Sequence, residues 1–184
     1  MEDPFVILVD QNDIQTGVAG KMEAHEKALL HRAVSVFIFD PEGKWILQRR
    51  AFDKYHSNGL WTNACCTHPS PGESNIMAAD RRLREEMGLE CKLEELFAFT
   101  YMHKLGNGLT ENEYDHVFYG ISSEHPVINT FEVEDWKAIS FDDLHTDINI
   151  NPSNYTYWFK HIYQRVQLHI NELQRGTCKS FKTV

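Results

Sequence analysis

Short runs of β-branched and aromatic residues recur along the chain between polar and turn-forming residues, and this pattern predicts strands. One pair of runs flanks Pro41, Glu42 and Gly43, which predicts a hairpin. The predicted strands cover residues 5–9, 33–40, 44–49, 96–102, 113–121 and 133–139.

Two segments show helical spacing of their apolar residues instead. Residues 74–87 have this spacing and are followed by Gly88, where a C-terminal cap belongs. Residues 152–173 begin with Pro152, which suits a first helical turn. Their apolar stripe consists of Tyr155, Trp158, Phe159, Ile162, Val166 and Ile170. Strands interleaved with few helices predict an α+β fold, a mixed sheet sandwiched between helices. Because repeats and linkers are absent, we expect residues 1–184 to form one domain with a loose tail from about residue 179.

Composition and charge are typical of a globular protein and argue against some classes of partner. The chain is 42% hydrophobic and 24% charged, which is ordinary for a globular protein. It shows no secretion signal and no run of the ~20 apolar residues that cross a membrane. Adjacent Cys65 and Cys66 are a poor basis for a disulfide, so we expect a reduced, cytoplasmic protein. We also expect no membrane partner, and a monomer or weak homodimer. The net charge of −9 argues against a nucleic-acid partner, and an anionic ligand would need local Lys and Arg.

The densest candidate chemistry lies in residues 61–69, Trp-Thr-Asn-Ala-Cys-Cys-Thr-His-Pro. In extended backbone Cys66 and His68 project to the same side, where a thiol acid and a metal ligand could meet. The competing interpretation is that the cysteine is a buried small hydrophobe and the histidine belongs to a loop.

Carboxylates and imidazoles elsewhere suggest a metal site. Glu111 and Glu113 would share one face of a strand, and such a pair is more reasonable if a cation lies between them. His25 and His31 are too far apart for one helix face, so we expect one of them in a loop. Taken alone, these four residues would usually be exposed surface groups. Together with His68 they form a set that suits Mn²⁺, Zn²⁺ or Mg²⁺.

The predicted helix at 74–87 carries a third motif. Glu73, Arg81, Leu83, Glu85, Glu86, Gly88 and Leu89 match the Nudix box, G-x5-E-x7-R-E-U-x-E-E-x-G-U with U aliphatic. Thr67 replaces the first glycine, and Arg82 replaces a glutamate that hydrolytic members use. An arginine there suits phosphate oxygens, which predicts diphosphate binding without hydrolysis. The alternative is an amphipathic helix with a solvated charged face.

The order of these motifs resembles that of the type I isopentenyl diphosphate isomerases over nearly the whole chain. The matching elements are Lys21, His25, His31, residues 48–51 (Gln-Arg-Arg-Ala), residues 61–69, the altered box, and residues 111–113 (Glu-Asn-Glu). The resemblance implies a Nudix-type fold. It also implies interconversion of isopentenyl and dimethylallyl diphosphate in isoprenoid biosynthesis, by proton transfer through a tertiary carbocation.

The same resemblance implies roles for individual residues. Cys66 and Glu113 are expected to be the proton donor and acceptor, with Trp158 facing the cation and Tyr101 orienting Glu113. The diphosphate would be bound by Lys21, Arg50, Lys54 and Arg82, and by Mg²⁺ on Glu86. A second divalent ion would occupy His25, His31, His68, Glu111 and Glu113. Without the family, Trp158 and Tyr101 could equally be core aromatics, and the four cations surface charges.

Two other functions compete on the sequence alone. A Nudix hydrolase of nucleoside diphosphate derivatives would share the fold and the box but not the Cys-x-His block. A non-catalytic metal-binding or redox module would explain the adjacent cysteines and the ten histidines. A flavin cofactor is not expected, because no Gly-rich cofactor loop is visible.

Overall fold

The computed structural model describes residues 4–106 and 108–180. Its strands are β1 (Phe5–Val9), β2 (Gln15–Gly20), β3 (His31–Phe39), β4 (Trp45–Arg50), β5 (Trp61–Thr62), β6 (Cys65–Thr67), β7 (Leu93–Gly106), β8 (Leu109–Ile121) and β9 (Val133–Ile139). Its helices are α1 (Lys21–Glu26), α2 (Asn75–Met87), α3 (Phe141–Ile150), a 3₁₀ turn at Pro152–Asn154, and α4 (Tyr157–Ser180).

β3 is the central strand of the sheet. It pairs in parallel with β8 from His31 to Phe39, while the other pairings described in the sheet are antiparallel. The predicted hairpin is confirmed, but β3 and β4 pair only at Ile38–Ile46 and Phe39–Trp45. Beyond that point the two strands diverge. β5 then pairs with β4 and β6 with β3, so the segment that carries Cys66 fills the fork between them.

Helices cover both faces of the sheet, which confirms the predicted α+β sandwich. Side chains alternate along β3: Val34, Val36 and Ile38 share a buried cluster with Leu83 and Met87 of α2. Phe37 and Phe39 share the opposite cluster with Leu144 of α3 and with Phe159 and Ile162 of α4. Each large apolar side chain buried in these clusters contributes roughly 1.5–3 kcal/mol. Among the helices of the described residues, none is long and apolar enough to span a bilayer.

The helix predicted at 74–87 is confirmed with its caps. Ser74 Oγ accepts a hydrogen bond from the Met77 amide, and Gly88 closes the helix in the left-handed region with φ of 62°. A Cβ atom at Gly88 would lie 2.6 Å from the carbonyl oxygen of Val127. The position therefore requires glycine for its conformation and for the space beside it.

We expect Gly88→Ala to lower the melting temperature, because it combines left-handed strain with this clash. The strain alone costs roughly 1–2 kcal/mol. Gly43→Ala is the matched control, since Gly43 has φ of +82° but nothing within 4 Å of its added Cβ. Thermal unfolding of both variants separates the two effects. An equal loss of stability in both would contradict a contribution from the Val127 contact.

Several elements differ from the prediction. The predicted helix at 152–173 is interrupted, because Tyr155 is extended and bridges to Trp61, and the Thr156 amide donates to the Trp61 carbonyl. α4 therefore starts at Tyr157 and continues to Ser180, so the predicted tail at 179–184 is helical at its first two residues. Residues 181–184 of that tail lie outside the described residues. The predictions did not include β2, α1, β5 and β6, which are short, or α3, which has ten residues.

Candidate active site

A cavity of about 300 Å³ opens where α1, β3, β6, β8, α2 and α4 converge. It is lined by candidate residues from every motif of the sequence: Lys21, Arg50, Lys54, Cys66, His68, Arg82, Glu86, Tyr101, Glu111, Glu113 and Trp158. His25 and His31 lie behind its wall, fully buried. Residues distant in sequence thus form one site.

The five candidate metal ligands form a single group. One nitrogen or oxygen from each of His25, His31, His68, Glu111 and Glu113 lies within 4.8 Å of all the others. The expectation that such histidines and glutamates are usually exposed is wrong here, because four are buried and His68 is half-buried. The expectation of one loop histidine is also wrong. α1 ends after His25 and the chain turns at Ala28, where φ is +50°, so that His31 starts β3.

The histidine tautomers leave nitrogen lone pairs facing the centre of this group. A carbonyl oxygen can only accept, so His25 Nδ1 must donate to the Lys21 carbonyl at 2.7 Å, and His31 Nδ1 to that of Leu29 at 2.8 Å. The Nε2 atoms of both rings are then available as metal ligands. Among the described residues, buried His25 Nε2 and Glu111 Oε2 have no hydrogen-bond partner, although they lie 3.2 Å apart. A divalent ion would satisfy both atoms, so the donor set fits a metal.

Burial dominates the electrostatics of this cluster. It lowers the pKa of His31 to about 4 and that of His68 well below its usual value, which keeps both imidazoles neutral, as metal ligands must be. Burial also acts to lower the pKa of His25, but the Glu111 carboxylate 3.2 Å away raises it above its usual value.

Tyr101 and Glu113 face each other across the β7–β8 ladder. Tyr101 Oη donates to Glu113 Oε2 at 2.7 Å, and His68 Nε2 lies 2.9 Å from Glu113 Oε1. Burial first, and then the charge of Glu113, raise the pKa of Tyr101 well above its usual value. The phenol therefore remains a hydrogen-bond donor that fixes the orientation of the carboxylate.

Cys66 presents its sulfur to the cavity from β6. Sγ lies 3.2 Å from Asn63 Nδ2 and 3.5 Å from Ser35 Oγ, and Ser35 donates to Asp115 at 2.7 Å. Burial, followed by the charge of Asp115, raises the pKa of Cys66 to about 12, so the thiol stays protonated. Cys65 points the opposite way, into the core beneath α2, because side chains alternate along a strand.

The residues of the Nudix box divide into two groups. Arg81 forms a two-pronged ion pair with Glu73 at 2.8 and 2.9 Å, which holds the preceding loop against α2. Glu86 is buried at the cavity, where it accepts a hydrogen bond from Gln48 Nε2 at 2.5 Å and pairs with Arg82 Nε at 2.6 Å. The first pair is thus structural, and Glu86 is the box carboxylate that lines the cavity.

Half-buried cations surround the same cavity. Arg82 and Lys54 both pair with Glu132, a residue that no sequence motif indicated. Among the described residues, buried Arg50 Nε has no hydrogen-bond partner, while its guanidinium carbon lies 5.5 Å from the Trp158 ring centroid. An unsatisfied guanidinium donor beside other cations suits an anionic ligand.

Asp115 was also missed, although a sequence signal existed. Glu111, Glu113 and Asp115 are spaced by two and share one face of β8, and Asp115 is only 1% exposed. Extending the alternation of Glu111 and Glu113 by one step would have identified it. Ser35 and Glu132 carried no such signal, because their contacts come from other parts of the chain.

Comparison with known proteins agrees with this geometry. Residues 29–159 match the NUDIX domain family. A Deinococcus radiodurans crystal structure, 17% identical, superposes with a TM-score of 0.71 over 87% of this chain and 98% of that one. A MutT protein of Methanosarcina mazei, also 17% identical, superposes with a TM-score of 0.61 over 74% of this chain and 91% of that one. Fold and site thus define a Nudix protein.

Relatives of higher sequence identity identify the family within the Nudix proteins. An Aromatoleum aromaticum protein named isopentenyl-diphosphate Delta-isomerase 2 is 50% identical over 90% of this chain and 87% of its own length. The isopentenyl-diphosphate Delta-isomerase of Pectobacterium atrosepticum is 47% identical over 88% of this chain and 90% of its own. The chain therefore belongs to the isopentenyl-diphosphate Delta-isomerase family of Nudix proteins.

Proposed function

We propose that this cavity interconverts isopentenyl and dimethylallyl diphosphate by adding a proton at one carbon and removing one from another. The observation that carries the proposal is the meeting of a protonated thiol, Cys66, and a carboxylate, Glu113, in one cavity lined by cations. An alkene is a poor base, so the shift needs a positioned acid as well as a base.

Cys66 is assigned the first proton, because its raised pKa of about 12 keeps the acid form in place. The S–H bond breaks and leaves its electron pair on sulfur as a thiolate, while the π electrons form the new C–H bond at the terminal carbon C4 and C3 becomes a tertiary cation. The electrons of a C2–H bond then form the C2–C3 double bond while Glu113 accepts that proton. In the reverse direction the two residues exchange roles.

Trp158 supports the cationic stage in this scheme. Its ring lines the cavity at 4% exposure, and an aromatic face stabilises a cation without offering a nucleophile that would trap it. Tyr101 holds Glu113 through its 2.7 Å hydrogen bond, so the carboxylate keeps one orientation while it exchanges a proton. These roles make the aromatic residues part of the chemistry as well as of the core.

Metal and cations would complete the site. A divalent ion on His25, His31, His68, Glu111 and Glu113 would withdraw charge from Glu113 and tune its acidity. Mn²⁺, Mg²⁺ and Zn²⁺ all suit this mixed N/O donor set. Glu86 would hold a second ion, Mg²⁺, and Lys21, Arg50, Lys54 and Arg82 would bind the diphosphate oxygens.

The direct test is an assay of the purified protein with isopentenyl diphosphate, followed by NMR and by phosphate release. We expect dimethylallyl diphosphate to accumulate without release of phosphate. Hydrolysis of nucleoside diphosphate derivatives is not favoured, because the relatives are named as isomerases and Arg82 occupies a glutamate position of the box. Phosphate release without isomerisation would overturn the proposal.

Diphosphate binding can be tested separately through Arg50. We expect Arg50→Met to raise KM roughly 10–100-fold, since hydrogen bonds to a charged group contribute about 1.5–3 kcal/mol. Arg49→Met is the matched control, because Arg49 points the other way on β4, donates to the Gly59 carbonyl and packs on Phe52. Steady-state kinetics of both variants measure the difference. A similar KM in the two variants would remove Arg50 from the proposed diphosphate site.

A further inference from the structure

A chain of buried hydrogen bonds runs behind the cavity from Trp158 to Cys66. Trp158 Nε1 donates to Thr62 Oγ1 at 3.0 Å, and Thr62 Oγ1 donates to Asn63 Oδ1 at 2.9 Å. Asn63 Oδ1 also accepts from the Cys66 thiol, whose Sγ lies 3.3 Å away. Thr62 and Asn63 are 1% and 0% exposed and do not line the cavity, so the reaction scheme leaves them without a role.

The direction of every bond in this chain follows from its neighbours. Asn63 Nδ2 faces the carbonyl oxygens of Cys65 at 2.7 Å and Val36 at 3.1 Å, which can only accept. This fixes the amide orientation and turns Oδ1 toward Thr62, whose single hydroxyl hydrogen must go to it.

The two lone pairs of Thr62 Oγ1 accept hydrogen bonds from two further donors. The indole N–H can only donate, and it occupies one lone pair of Oγ1. The Thr156 hydroxyl, 3.0 Å away and also fully buried, supplies the other donor. Thr62 Oγ1 thus accepts twice and donates once, so a methyl group in its place would remove one hydrogen bond from each of three buried groups, the Trp158 N–H, the Thr156 hydroxyl and the Asn63 carbonyl.

We propose that Thr62 and Asn63 are positioning residues that hold the Trp158 ring and the Cys66 sulfur in fixed relation across the substrate cavity. The inference rests on the proposed function, in which the sulfur gives a proton and the ring faces the resulting cation. The sulfur and the ring must both keep their positions while the carbocation exists. A misplacement of about 1 Å can cost roughly 10²-fold in rate. The Lys and Arg side chains proposed to bind the diphosphate lie on other elements. We therefore expect this network to affect kcat rather than substrate binding.

The test compares Thr62→Val, which removes the hydroxyl at similar size, with Thr62→Ser, which retains it. We expect Thr62→Val to lower kcat roughly 10–100-fold with little change in KM, and Thr62→Ser to recover most of the loss. In ¹⁵N NMR the Trp158 indole N–H resonance should shift in Thr62→Val and return in Thr62→Ser. If Thr62→Val does not fold, Thr62→Ala makes the same comparison without a possible clash.

Gln167→Met is the matched control, because it removes the hydrogen-bond acceptor of a different tryptophan, Trp45. Gln167 Oε1 accepts from Trp45 Nε1 at 3.0 Å in the core, away from the cavity. This variant should lose stability while kcat and KM stay unchanged. An unchanged kcat in folded Thr62→Val or Thr62→Ala would overturn the inference. So would a Thr62→Ser variant as slow as Thr62→Val, which would show that the methyl packing matters instead.

Two reference measurements keep this test separate from the test of the proposed function. Wild-type protein must isomerise isopentenyl diphosphate in the same assay, and Cys66→Ala must not. If either condition fails, the proposed function or its acid is wrong. If both hold and the Thr62 variants match the wild type, only the positioning inference is wrong.

Discussion

Cys66→Ala should reduce turnover by several orders of magnitude, because positioned acid-base groups contribute roughly 10²–10⁴-fold each. The thiol is held at the cavity by Asn63 and Ser35, and burial keeps it protonated. Alanine removes the proton while changing the volume little, so the fold should remain nearly intact. Turnover is measured with saturating isopentenyl diphosphate, and folding by thermal unfolding.

Cys65→Ala is the control for this variant. Cys65 is fully buried and points away from Cys66 into the core beneath α2, so its loss should cost some stability but little turnover. Comparable turnover in the two folded variants would show that Cys66 serves packing rather than chemistry. The isomerase mechanism would then lack its acid.

Removing the metal should have an effect of similar size. We expect chelation to abolish isomerisation and added Mn²⁺ or Mg²⁺ to restore it, because five ligand atoms converge within 4.8 Å and buried His25 Nε2 and Glu111 Oε2 have no hydrogen-bond partner in the described residues. Full activity in metal-free protein would contradict the metal site.

Glu113→Gln tests the same site through one side chain. The amide keeps the shape but loses the charge, so turnover and metal affinity should fall together. Metal binding is measured directly by titration calorimetry, independently of activity. Glu134→Gln, at an exposed position of β9, is the control and should leave both properties unchanged. A Glu113→Gln variant with normal metal affinity and normal turnover would exclude Glu113 from both roles.

Much of the fold could be predicted from local pattern. The strands at 5–9 and 133–139 and the helix at 74–87 agree with the observed elements to within about a residue, because each has a regular period and clear end signals. β5 and β6 could not be predicted, since two or three residues carry no period and extend only because the fork between β3 and β4 pairs with them. The break before α4 was missed for a related reason, as Tyr155 leaves the helical path to bridge to Trp61. α3 could have been predicted, because Ser140 is an N-cap and Leu144 and Ile148 have helical spacing.

The candidate site shows the same division. The identities of Cys66, His68, Glu111 and Glu113 were suggested by residue type and spacing, and the family resemblance supplied their expected roles. The sequence by itself determined which chemical groups are available, because motifs are local. Only the tertiary structure decided that five ligands converge, that Glu132 joins Lys54 and Arg82, and that Thr62 links Trp158 to the thiol side of the cavity. Such contacts join residues far apart in sequence, so they exist only once the sheet has set their distances.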